Sequence, residues 1–155
     1  MTAPTARAVV VDTSAAVAII LNEPGSADLM GCLESAAARL MSTASRVELG
    51  IVIEARLGPA GMDAVSRFLR DAEIEIVTVD VDVADRGLGA WRRYGKGRHR
   101  AALNFGDCFT YALAEQTGHP LLYTGDDFAA TDLDVITPTA ASCQPEAEPR
   151  PVTDG

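Results

Sequence analysis

Four carboxylates stand where the chain switches from one local pattern to another, and they carry the clearest chemical potential in the sequence. Asp12 follows Val9-Val10-Val11 directly, and Glu48 closes Ser45-Arg46-Val47-Glu48. Asp107 ends Asn104-Phe105-Gly106-Asp107, and Asp126 lies two residues after Thr124, with Asp127 beside it. Each also has a purely structural use. Asp12 can cap a helix, and Asp107 can complete a capping box with Asn104. Glu48 can be a surface residue, and Asp126 and Asp127 can be turn residues. Carboxylates gathered about 4 Å apart repel by roughly 4 kcal/mol per ionised pair at an effective dielectric near 20. Such a cluster needs a cation or retained protons. All-oxygen, anionic ligation suits hard ions such as Mg²⁺ and Mn²⁺. His99 and His119 are the only imidazoles, and neither stands beside these acids, which disfavours zinc hydrolysis.

The elements that must position these acids follow from the apolar pattern. Residues 8–11 read as a short buried strand that Asp12-Thr13-Ser14 ends with a helix cap. Residues 15–21 read as a helix stopped by Asn22-Glu23-Pro24-Gly25, and Ser26 caps a second helix to about Ala38. A short strand at 40–42 leads into a helix from Thr43 or Ala44 to about Leu57. A helix at about 62–72, a strand at 75–79 and a helix from Asp80 or Asp82 to about Tyr94 come next. Asn104 opens a helix ending near Gly118, followed by strands at 121–124 and 135–137. Strands separated by helices predict an α/β fold, a mostly parallel sheet with helices on both faces. In such folds ligands bind outside the carboxyl ends of the strands. Asp12 and Asp126 both follow strand ends, so they belong to the same edge.

At 155 residues the chain holds one domain, expected over 1–139, with a disordered tail over 140–155 where periodicity stops and Pro, Glu, Ala and Thr dominate. The longest wholly apolar run is Ala15 to Leu21, far short of the ~20 residues that span a bilayer. With no apolar stretch of signal-peptide length at the N-terminus, a cytoplasmic, membrane-free protein is expected. The three cysteines are odd in number and lack a C-x-x-C pair, so small half-buried thiols are expected rather than a disulfide framework. The net charge of −9 argues against a nucleic-acid partner until its distribution is considered. Arg92, Arg93, Lys96, Arg98 and Arg100 fall within nine positions that contain no acid, leaving eight bases against 22 acids elsewhere, a balance of −14. One basic stretch on an acidic body is a candidate phosphate-binding patch, or simply a solvated loop and helix end.

The acidic segments match a known pattern. Val9-Val10-Val11-Asp12-Thr13-Ser14 resembles the opening motif of PIN-domain nucleases, and Ser45-Arg46-Val47-Glu48 is similar to that family's second acid. Asn104-Phe105-Gly106-Asp107-Cys108-Phe109 resembles its third-acid helix. Leu121-Leu122-Tyr123-Thr124-Gly125-Asp126-Asp127-Phe128 is similar to its fourth. Order and spacing agree over about residues 8–137, and within the family the length and the Asn-Phe-Gly-Asp segment resemble VapC toxins most. The resemblance implies a three-layer α/β/α Rossmann-like PIN domain that cleaves RNA with Mg²⁺ or Mn²⁺, a homodimer, and neutralisation by a VapB-type antitoxin. Under it, Asp12 and Asp107 bind the ion, while Glu48 and Asp126 act through water or a second ion. Asp127 is the alternative to Asp126. The hydroxyls of Ser14 and Thr124 would orient the carboxylates, and Arg92, Arg93, Lys96, Arg98 and Arg100 would hold RNA phosphates.

Rival readings are weaker. An aspartyl-phosphate phosphatase wants a second acid two residues after Asp12, where this chain has Ser14. A phosphoacceptor receiver domain wants a Lys after a late strand, and residues 121–137 contain none. Asp80, Asp82 and Asp85 lack the Gly and the later Glu of a calcium loop. The remaining alternative is a module of the same fold that binds RNA or a protein without cutting.

Overall fold

The computed structural model describes residues 6–136, which form a five-stranded sheet covered by helices on both faces. In chain order the elements are β1 (Val9–Val11), α1 (Thr13–Ile20), α2 (Ser26–Ser35), β2 (Arg39–Ser42), α3 (Thr43–Leu57) and α4 (Gly61–Asp71). Then follow β3 (Ile74–Val77), α5 (Val81–Tyr94), α6 (Phe105–Thr117), β4 (Leu121–Leu122), a 3₁₀ turn (Asp127–Ala130) and β5 (Val135–Ile136). The strand order is β3-β2-β1-β4-β5, and every neighbouring pair is parallel. The α/β/α expectation holds, with a sheet that is parallel throughout. The tail expected from residue 140 and the boundary at 139 lie outside the described residues.

Central strands buried on both faces must be apolar at every position. β1 satisfies this with three valines of which none exceeds 1% exposure. Val9 and Val11 join Met41, Leu122, Leu49, Ile53 and Val65 on one face. Val10 joins Leu40, Leu121, Tyr111 and Leu113 on the other. That alternation pins the register, since a one-residue slip would exchange the two faces.

Local deviations have local causes. α2 stops at Ser35 instead of running to Ala38, because the Arg39 guanidinium occupies its last carbonyls, Leu33 O at 2.6 Å and Glu34 O at 3.3 Å. β4 ends at Leu122, before Thr124, and the chain then turns to bury Phe128 against Tyr123, ring centroids 5.2 Å apart. Cys108 is a free, buried thiol, as expected. Among the described residues no helix is long and apolar enough to cross a membrane.

Candidate active site

β1 and β2 each run straight into a helix, so the residues at both junctions face the carboxyl edge of the sheet. At the first junction Asp12 is both cap and site residue. Its backbone N–H extends the β4 pairing by donating to Leu122 O at 2.9 Å. Its Oδ2 caps α1 by accepting from the Ser14 N–H at 3.0 Å and from Ser14 Oγ at 2.6 Å. Its Oδ1 accepts from Thr110 Oγ1 at 2.7 Å. The side chain is thus held from two helices, and the residue is only 5% exposed.

Asp107 repeats this double use. Its N–H donates to Asn104 Oδ1 at 2.9 Å while its Oδ2 accepts from the Asn104 N–H at 2.9 Å, a complete capping box. The residue is buried, and burial is the main force that lifts its carboxyl from 3.8 to about 7. The negative charges of Asp12, Asp127 and Glu48 push the same way, and the Asn104 N–H bond opposes them. Glu48 is raised too, chiefly by burial and further by Asp12, with a hydrogen bond from Thr13 pulling it down. Its carboxylate lies against Gly106, where a Cβ would overlap it. Asp12, Glu48 and Asp107 therefore feel one another's charge, as a common site requires.

For the fourth acid the electrostatics favour Asp127, the alternative to Asp126 in the sequence reading. Asp127 acts on Asp107, whereas Asp126 is not among the charges that shift it. Asp126 precedes the 3₁₀ turn and, with Asp127, raises the Tyr123 phenol after the larger effect of burial. Ser14 touches Asp12 as expected. Thr124 works differently, because its backbone N–H donates to Ser14 Oγ at 3.0 Å. Among the described residues its hydroxyl has no carboxylate partner.

The basic group divides. Arg92 and Arg93 belong to the last turn of α5. Arg93 is engaged internally, with Glu115 at 2.8 Å, the Tyr111 hydroxyl at 3.0 Å and Asp132 at 3.7 Å. Arg98 lies over the Trp91 ring, 4.0 Å from its centroid. Arg92, Lys96 and Arg100 are exposed and make no ion pair among the described residues. Lys96 also borders an apolar groove of about 560 Å³ between α5 and α6, lined by Leu88, Trp91, Phe105 and Phe109, which the four acids do not enter.

Sequence reasoning missed the hydroxyls behind the acids. Ser42, Ser45 and Thr110 are at most 3% exposed, and Thr13 is shared between Glu48 and the Ser45 carbonyl. Thr110 lies three residues after Asp107, on the same helical face, and that spacing was the available signal.

The PIN domain family model matches residues 9–133. Ribonuclease VapC of Mycolicibacterium smegmatis is 50% identical over 127 residues, covering 82% of this chain and 98% of the relative. Ribonuclease VapC30 of Mycobacterium tuberculosis is 47% identical, covering 82% and 97%. Among solved structures, the Mycobacterium tuberculosis toxin VapC20 superposes with a TM-score of 0.67 at 16% identity, over 81% of this chain and 95% of that one. A toxin–antitoxin complex from Klebsiella pneumoniae gives 0.62 at 18% identity, over 84% and 98%. The acids at the sheet edge and these similarities agree: the chain belongs to the PIN-domain family and, within it, to the VapC group.

Proposed function

We propose that this chain is a toxin ribonuclease that hydrolyses RNA phosphodiester bonds with Mg²⁺ or Mn²⁺ and is neutralised by a VapB-type antitoxin. The observation that carries this reading is geometric: the Glu48 carboxylate packs against Gly106, beside Asp107, at the sheet edge where Asp12 is held by Thr110 of the same helix. A site that concentrates like charges has a negative potential that a divalent cation relieves. The donors suit a hard ion, since the acids offer oxygen only. The nearby Cys108 is kept as a neutral thiol by burial and by Asp107. Among the described residues no three such side chains converge as ligands of one ion. The fit therefore rests on donor chemistry and charge.

Asp12 and Asp107 would hold the ion directly, with Glu48 and Asp127 acting through water or at a second ion. Asp127 is preferred to Asp126 for the fourth place because its charge acts on Asp107. When bound, the ion lowers the pKa of a water molecule and stabilises charge on the phosphoryl oxygens. The chain's own residues do the remaining work. Ser14 orients Asp12, Asn104 orients Asp107, and Thr13 holds Glu48. Arg92, Lys96, Arg98 and Arg100 attract RNA phosphates, which adds affinity without sequence choice.

Protein partners have a surface available beside the site. Val47 and Ile51, one turn apart on α3 around Glu48, are 59% and 65% exposed, and Phe105 is 81% exposed. Apolar side chains grouped in this way support a homodimer and an antitoxin contact. A toxin acting on RNA works in the cytoplasm. The non-cutting alternative has no observation in its favour, since the acid positions are filled and the relatives are named ribonucleases.

Expression without an antitoxin tests this reading. It should arrest growth, and Asp12→Asn should relieve the arrest. An Asp12→Asn protein as toxic as the parent would count heavily against the catalytic assignment.

A further inference from the structure

Behind Asp12 runs a line of buried hydroxyls whose hydrogens can be assigned one by one. At its inner end Asp12 accepts from Thr110. The single hydrogen of Thr110 Oγ1 is therefore committed to Asp12 Oδ1, at 2.7 Å. The 3.2 Å contact between Ser45 Oγ and Thr110 Oγ1 must then have Ser45 as donor. With that hydrogen used, the 2.9 Å contact between Ser42 and Ser45 must have Ser42 as donor. Ser42 Oγ in turn accepts the Ser45 N–H at 2.9 Å, at the first turn of α3. Every hydroxyl in the line points toward Asp12, so each bond polarises the next in one direction.

Asp12 thus receives three protein donors: Thr110 on Oδ1, and the N–H and Oγ of Ser14 on Oδ2. A carboxylate offers about four lone-pair directions. Three are occupied, the carboxylate is pinned on both oxygens, and one direction remains open. We propose that Thr110, backed by Ser45 and Ser42, is a positioning residue that pre-orients Asp12 and thereby sets the affinity of the site for a divalent cation. This inference rests on the metal-dependent reading of the site. It extends that reading to residues that touch neither the ion nor the substrate.

The test is Mn²⁺ binding to the full chain, followed by calorimetry and by the loss of the free Mn²⁺ electron paramagnetic resonance signal. Removing a partner that orients a metal ligand typically costs about 10- to 100-fold in affinity. Thr110→Val, which keeps the shape and removes the hydroxyl, should weaken Mn²⁺ binding by that factor. Thr110→Ser should restore it to within about threefold. Ser45→Ala, one step further back, should give an intermediate loss of about three- to tenfold. Val65→Ala, a core change on α4 outside the hydroxyl line, controls for destabilisation and should lower Tm without moving the Mn²⁺ affinity. If Thr110→Val folds and binds Mn²⁺ as the parent does, the proposal is overturned while the metal reading stands. If Thr110→Ser fails to restore binding, the hydroxyl is not the cause, and the proposal falls again. A parent chain that binds no Mn²⁺, or that binds it as tightly after Asp12→Asn, would overturn both, and that result is distinguishable from the others.

Discussion

The carboxylate of Glu48 rests on the Cα of Gly106, so closely that a methyl group at 106 would overlap it. The two residues come from different helices, α3 and α6, and Gly106 immediately precedes Asp107. The absence of a side chain at 106 is what lets Glu48 approach the other acids.

Gly106→Ala should therefore separate activity from stability. Alanine in a helix is favoured over glycine by about 1 kcal/mol. The three nearest atoms it would meet belong to the end of the Glu48 side chain, which can swing away. Tm should be unchanged or slightly raised, while ribonuclease activity should drop by roughly tenfold or more as Glu48 leaves the cluster. Paired thermal melts and cleavage rates check this, and unchanged activity would remove Glu48 from the mechanism.

Asp107 predicts a pH dependence. In the folded chain its pKa is about 7, against 3.8 for an unperturbed aspartate. The native state then binds more protons than the unfolded state between these values, so this group makes stability fall as pH rises from about 4 to 7. Without divalent ions the parent should lose Tm between pH 5 and pH 8. Asp107→Asn should flatten that loss and melt a few degrees higher at pH 8, because the amide keeps the capping acceptor and sheds the charge. Saturating Mn²⁺ should stabilise the parent by about 2.7 kcal/mol at 100 times its Kd and the variant much less.

How much of this was readable beforehand differs by residue. Asp12, Glu48 and Asp107 were legible because each follows a strand or helix start that the apolar pattern marks independently. The structural uses of Asp12 and Asp107, cap and capping box, are compatible with a site, since the charges of Asp12 and Glu48 both act on Asp107. The sequence left Asp126 and Asp127 both open, because their placement depends on the 3₁₀ turn at Asp127–Ala130 and on the burial of Phe128. Nor could charge counting separate Arg93 from Lys96. Only the fold reveals that Glu115 and Asp132 lie beside Arg93. The hydroxyl line from Ser42 to Asp12 joins residues up to 98 positions apart, a closure that no local pattern encodes.

The two adjacent acids should behave differently. Asp127→Asn should reduce cleavage by about tenfold or more, as expected for a group that supports the ion. Asp126→Asn should cost markedly less. Single-turnover rates on one RNA decide this, and the reverse order would return the fourth place to Asp126.

The basic residues should also split into two classes. Arg93→Ala breaks contacts to Glu115, Tyr111 and Asp132, all partly solvent-screened, for a loss of about 1 kcal/mol. In a chain of this length that lowers Tm by about 2–4 °C. Lys96→Ala and Arg100→Ala should leave Tm alone, weaken RNA binding evenly across sequences and reduce its salt dependence by somewhat under one unit of slope each. Melting curves and salt titrations of RNA binding separate the classes.

The central claim is that these carboxylates cut RNA with a bound divalent ion. Its most direct test is to incubate the antitoxin-free protein with total cellular RNA in Mg²⁺ or Mn²⁺, alongside EDTA and Asp12→Asn controls. The account predicts discrete cleavage products that vanish in both controls. Cleavage that persists in EDTA or in the Asp12→Asn protein would contradict it.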